Sequence, residues 1–145
     1  MITSLPKFRG SISDSFEPYL KPYVKKEEEE LRQNIYNSLS NDEVDFSSDL
    51  KVLNSSLFLF NHIKTLMKRA GQYSRSQTMF DIYQVIKRSL KFYMEELVIR
   101  IGKEANKKDL EGAVENAVCF IINTAEYCRD TLASLAESIK TNLDR

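Results

Sequence analysis

Apolar residues recur every three or four positions along most of the chain, the spacing of a single helical face. Four helices follow from that spacing. The first spans about Ser13 to Leu39, with Ile12, Phe16, Tyr19, Tyr23, Leu31, Ile35 and Leu39 on one face and a gap at Glu27 and Glu28. Asp14 and Glu17 stand at capping-box spacing. Pro18 suits a first turn, whereas Pro22 predicts a kink or a helix that begins only near it. Ser40 to Ser48 is polar and acidic, and reads as a loop.

The second helix is expected over 49–73, capped by Ser48 or Asp49 and stopped by Gly71. Leu50, Leu53, Leu57, Phe60 and Met67 form one stripe, and Val52, Leu59, Ile63, Leu66 and Ala70 another. Two stripes imply burial on more than one side, so this helix is the expected centre of the fold. The third spans about 76–102, where Met79, Tyr83, Ile86, Leu90, Tyr93, Leu97 and Ile101 keep a 4-3-4-3 rhythm. The fourth, about 107–143, carries Leu110, Val114, Ala117, Ile121, Cys128, Leu132, Leu135, Ile139 and Leu143. At its full extent it would reach roughly 55 Å. The expectation is an all-α bundle of about four long antiparallel helices, elongated and rod-like, forming one unit over residues 1–145. No internal repeat is evident.

Composition sharpens this picture. With 4 Gly and 3 Pro in 145 residues, the chain has few tight turns, which argues against sandwiches, barrels and phosphate-cradling folds. The longest unbroken apolar run, Ala117 to Ile122, is far short of the ~20 residues a bilayer requires. The opening MITSLPKFRG lacks the apolar centre of a signal peptide. Any membrane contact is therefore expected to be peripheral and made through partners. Cys119 and Cys128 form neither a CxxC pair nor a disulfide framework, and both read as buried free thiols on a helix, in a reducing cytosol.

The 21 basic and 21 acidic side chains cancel overall but not locally. Residues 1–62 carry a net −3, residues 64–103 a net +6 and residues 104–145 a net −3. Complementary charge between neighbouring helices is the simplest explanation; a basic surface for anionic lipid or nucleic acid is the alternative. Scattered cations without a recognised motif argue against nucleic acid. The run Lys25 to Glu30 reads as a solvated face, with Lys25 and Lys26 four residues before Glu29 and Glu30.

Catalytic chemistry finds little to work with. His62 is the single histidine, which excludes His-pair zinc sites, and no neighbour in sequence orients it as a base. The Glu95-Glu96 pair points about 100° apart on a helix and cannot converge. Glycines at 10, 71, 102 and 112 are too dispersed for a phosphate loop. No catalytic, metal-binding or cofactor-binding residue is assigned, no cofactor is expected, and an enzyme is not the reading. Phe16, Tyr19 and Tyr23 are spaced like a recognition face, and Phe58 with Phe60 like a groove. Core aromatics of a bundle are the simpler explanation, and a stand-alone helical adaptor or peptide-binding bundle is the alternative function.

Three stretches carry a family resemblance. Residues 11–24, Ser-Ile-Ser-Asp-Ser-Phe-Glu-Pro-Tyr-Leu-Lys-Pro-Tyr-Val, followed by an acidic run and Leu31, resemble the opening of a segment in the vacuolar-protein-sorting fifty-three family. Leu53 to Phe58, continuing to Gln72-Tyr73-Ser74-Arg75 and Phe80-Asp81-Ile82-Tyr83-Gln84-Val85, resemble that family's next two helices. Asn123-Thr124-Ala125-Glu126-Tyr127-Cys128 is the most specific match. The resemblance implies a non-enzymatic helical rod that matches the middle-to-late part of a much longer subunit, either as a fragment of one or as a reduced relative. That subunit would belong to the Golgi-associated retrograde protein complex or its endosomal recycling relative. It further implies other tethering-complex subunits as partners, with SNAREs or small GTPases as further candidates. The implied location is cytoplasmic, peripheral at trans-Golgi and endosomal membranes.

Overall fold

Residues 15–42, 49, 51–73, 77–106 and 112–143 are described by the computed structural model. A 3-10 turn, Glu17–Leu20, runs directly into helix α1, Lys21–Ser40; α2 is Asn54–Tyr73, α3 Gln77–Ala105 and α4 Ala113–Leu143. No strand occurs among the described residues, and the fold is the expected all-α bundle. Both prolines sit where a helix tolerates them. Pro18 lies in the first turn of the 3-10 segment and Pro22 in the first turn of α1, where a missing N–H breaks no helical bond. The helix therefore begins at Lys21 rather than at Ser13, and Asp14 of the expected capping box lies outside the described residues.

Two further boundaries differ from the sequence expectation, each for a physical reason. Helix α2 begins at Asn54, not near Asp49. Asp49 is exposed, Ser48 lies outside the described residues, and the capping is done by a side chain from further away, Asp42. Helix α4 begins at Ala113, because Gly112 has φ +74°, a conformation that no continuous right-handed helix contains. Residues 107–111 of the expected fourth helix lie outside the described set. Gly71, expected to stop α2, lies within it.

These two glycines make opposite predictions. Gly71 has nothing within 4 Å of an added methyl group, so Gly71→Ala is expected to stabilise by about 0.5 kcal/mol. Gly112→Ala meets equally open space but keeps the unfavourable φ, and is expected to destabilise by about 1 kcal/mol. Urea unfolding of the two variants checks both signs.

Side-chain pairs fix the topology. Asn34 meets His62 and Glu27 meets Arg69, so α1 and α2 are antiparallel. Glu28 meets Arg88 while Arg32 stacks on Phe92, so α1 and α3 run parallel across the bundle. Leu53 meets Thr124 and Phe60 meets Tyr127, so α2 and α4 run parallel as well. The order is up-down-up-down. Helix α3, not α2, is the hub: it packs against α1, α2 and α4 alike. Leu31, Ile63, Leu66, Ile82, Val85 and Tyr93 belong to one continuous core, each fully enclosed. Small buried residues, Ser55, Ser56, Ala70, Ser89 and Thr124, let the backbones approach there. Helices α3 and α4, with 29 and 31 residues, extend to about 43 and 46 Å.

Candidate interaction surfaces

Two polar seams that the sequence hides tie the helices together. At one end, Asp42 follows the C-terminus of α1 and its side chain is 1% exposed. Its carboxylate accepts the Ser55 amide at 3.3 Å and the Ser55 hydroxyl at 2.5 Å, so it caps the free N–H groups of α2 from outside that helix. The Ser55 hydroxyl is committed to Asp42 as donor, and therefore accepts from the Tyr93 hydroxyl at 2.7 Å. Arg100 of α3 closes the seam. Its guanidinium donates to the Asp42 carbonyl at 2.7 Å and to the Leu39 carbonyl at 3.5 Å, and approaches the Asp42 carboxylate at 3.7 Å. A cation at the C-terminal end of α1 also suits the helix dipole. Thr124 adds α4, accepting the Leu53 amide at 2.8 Å while donating to the Phe120 carbonyl at 2.7 Å.

Burial raises the Asp42 carboxyl above the usual carboxylate range, against the opposing pull of the Ser55 hydrogen bonds and Arg100. As pH falls, the folded protein then takes up this proton before the unfolded chain does. The associated stability is absent above the folded pKa, grows as pH falls through it, and is complete below the ordinary value of 3.8. Glu28 works the other way: its hydrogen-bonded partner Arg88 holds its pKa below 4.5, so its contribution is lost only in stronger acid. Asp42→Asn keeps an acceptor and removes the titration. The stability difference between wild type and this variant is expected to move in the wild type's favour as pH falls towards 3.8, read from urea midpoints.

The second seam corrects the reading of the acidic run as a solvated face. Glu27 is 4% exposed and pairs with Arg69 at 2.9 Å. Glu28 is held by Arg88 through two bonds of 2.8 and 3.0 Å; only Lys26–Glu30, at 3.9 Å, is the loose surface pair expected. Tyr23 closes this end against Tyr73, ring centroids 5.3 Å apart. Its hydroxyl is pushed up to about 12 by burial and by the Glu27 charge. Three arginines of the basic middle segment thus answer acids on or just beyond α1, as complementary charge between helices predicts.

The residues singled out for chemistry do not come together. The Asn34 amide donates to His62 Nδ1 at 3.2 Å, between α1 and α2. Cys128 is buried, its thiol pushed up to about 12 by burial, while Cys119 is exposed. No group of three or more His, Cys, Asp or Glu able to hold a metal ion exists among the described residues. Phe58 and Phe60 do not form one groove: Phe58 is exposed beside α1, whereas Phe60 is buried against Tyr127. Tyr23 is half-buried, but Phe16 and Tyr19 are 60% and 77% exposed and do not serve the core.

Among the described residues, a groove lies on each side of the C-terminal half of α4. Helices α2 and α4 touch at Phe60 and Tyr127, their rings edge-on at 5.8 Å, then separate to leave a cavity of about 860 Å³. Its floor is Phe60, Met67, Tyr127 and Leu135. The second groove, about 360 Å³, lies between α3 and α4 over Ile86, Leu90, Met94 and Leu132. The first has Lys64 and Lys68 along one edge, the second Lys87 and Lys91. An apolar floor with a charged edge suits a helix laid in the groove. Of the groove expected at Phe58 and Phe60, only Phe60 lines one of these; the rest was not legible, because a groove arises from the angle at which two helices diverge and not from the periodicity of either one.

The chain is 35% identical over 150 aligned residues to vacuolar protein sorting-associated protein 53 A of Arabidopsis thaliana, an alignment that covers 94% of this chain. It spans 18% of that relative's length. No family model matches. No solved structure matches either.

Proposed function

Since the sequence is of the vacuolar protein sorting 53 type, we propose that this chain is a non-enzymatic helical scaffold segment of a multisubunit vesicle-tethering complex in endosome-to-Golgi retrograde transport. The alignment over 94% of the chain carries the reading. The structure supports it physically. A tether needs reach and docking faces, and α3 and α4 supply helices of about 43 and 46 Å whose flanks are grooves. Other subunits of the Golgi-associated retrograde or endosomal recycling complex are the proposed partners, with SNAREs or small GTPases as further contacts. Action is peripheral, at trans-Golgi and endosomal membranes; no helix among the described residues is long and apolar enough to cross a bilayer.

The test is co-purification from cells expressing the full-length polypeptide that carries this segment. The reading expects the other tethering subunits in stoichiometric amount. Recovery of the polypeptide without them contradicts it. A free-standing adaptor would instead bind its peptide with no tethering subunit present.

A further inference from the structure

We propose that the groove between α2 and α4 seats an amphipathic helix from another protein, bearing an apolar stripe and acidic residues along one flank only. This rests on the scaffold reading above and adds what the scaffold holds. Among the described cations of the basic middle segment, Arg69, Arg88 and Arg100 pair with Glu27, Glu28 and Asp42, and Lys91 with Glu95. Lys64 and Lys68 are exposed, one turn apart on α2, and pair with no carboxylate among the described residues. Two unanswered cations at helical spacing beside an apolar floor match acids on a helix four residues apart.

The opposite edge, on α4, behaves differently. Asp130 stands there with Ser134 and Ser138 at successive turns, and Asp130 is already paired with Arg129 at 3.1 Å. An acid on that flank of an incoming helix would be repelled, whereas a small polar residue would be accepted. The floor runs along α4 from Tyr127 to Ser138, about 17 Å, enough for roughly three turns of helix. Size, floor and the unequal edges specify the occupant together.

The experiment uses the full chain and two fluorescent 14-residue probe peptides followed by anisotropy. Both carry leucines at i, i+3/i+4 and i+7; one has glutamates along a single flank, and the other has lysines in their place. The glutamate peptide is expected to bind at least about tenfold tighter than the lysine peptide, and to weaken as salt is raised. Lys64→Glu with Lys68→Glu is expected to invert that preference. Both side chains are exposed, and circular dichroism confirms the fold. Should the double variant unfold, Ser134→Trp, which fills the groove from an exposed position, is expected to abolish binding instead.

Equal binding of both peptides overturns the proposal, as does indifference to both variants. Sedimentation as a dimer that the double variant dissociates assigns the groove to a second copy and also overturns it. So does binding to anionic vesicles, lost in the double variant, without binding to either peptide. The scaffold reading fails separately: co-purifying tethering subunits with no peptide binding remove only the groove assignment.

Discussion

Tyr93→Ala is expected to lower the unfolding free energy by about 3–5 kcal/mol, the largest loss from any single side chain of the bundle. Tyr93 is fully enclosed on the hub helix, so truncation leaves a cavity where three helices meet, and the surrounding packing can close it only partly. The same change removes the donor to Ser55 Oγ. Tyr93→Phe separates the two effects. It retains the ring and loses the hydroxyl, and is expected to cost about 1 kcal/mol. Urea unfolding of both variants gives the ratio. A Tyr93→Phe loss as large as that of Tyr93→Ala would place the energy in the polar seam rather than in packing.

Arg100→Met is expected to cost about 3 kcal/mol, at the lower end for breaking a buried pair, since Arg100 is 22% exposed. The loss has two sources. Asp42 is left as an enclosed carboxylate without its cation, and the Leu39 and Asp42 carbonyls beyond α1 lose their donor. The Asp42→Asn, Arg100→Met double variant is expected to recover part of the loss, because an amide needs no counter-charge at that depth. Additive losses in the double-mutant cycle would show that Asp42 and Arg100 do not act together.

The helices were legible where burial is one-sided and continuous. The stripes of α3 and α4, from Met79 to Leu97 and from Ala117 to Ile139, fall on the faces the spacing assigns, because a 3.6-residue period leaves only one way to hide those side chains. The centre of the bundle was not legible. The two stripes of α2 measure how much of that helix is covered, whereas the hub is the helix with the most neighbours, and α3 takes that place between α1, α2 and α4.

The polar seams escaped because their partners are distant in sequence. Asp42 and Ser55 are separated by 13 positions and Glu27 and Arg69 by 42, and no local spacing rule connects them. One signal was present all the same. Of the cations in residues 64–103, arginine lies at 69, 75, 88 and 100 and lysine at 64, 68, 87, 91 and 103. Arginine's planar fork suits enclosed carboxylates and carbonyls, whereas lysine's compact, hydrated charge prefers water. Among the described residues, Arg69 and Arg100 reach enclosed carboxylates and Arg88 a half-buried one, while Lys64, Lys68, Lys87, Lys91 and Lys103 are exposed.

Return of endosomal cargo to the Golgi, in cells lacking this protein and supplied with versions of it, tests the central claim most directly. If the segment works by holding other molecules on a rigid bundle, Tyr93→Ala together with Leu66→Ala, both fully enclosed positions, abolishes return. His62→Ala and Cys119→Ser leave it intact. Full return with the doubly truncated core, or its loss through either of the other two changes while the bundle stays folded, would contradict the account.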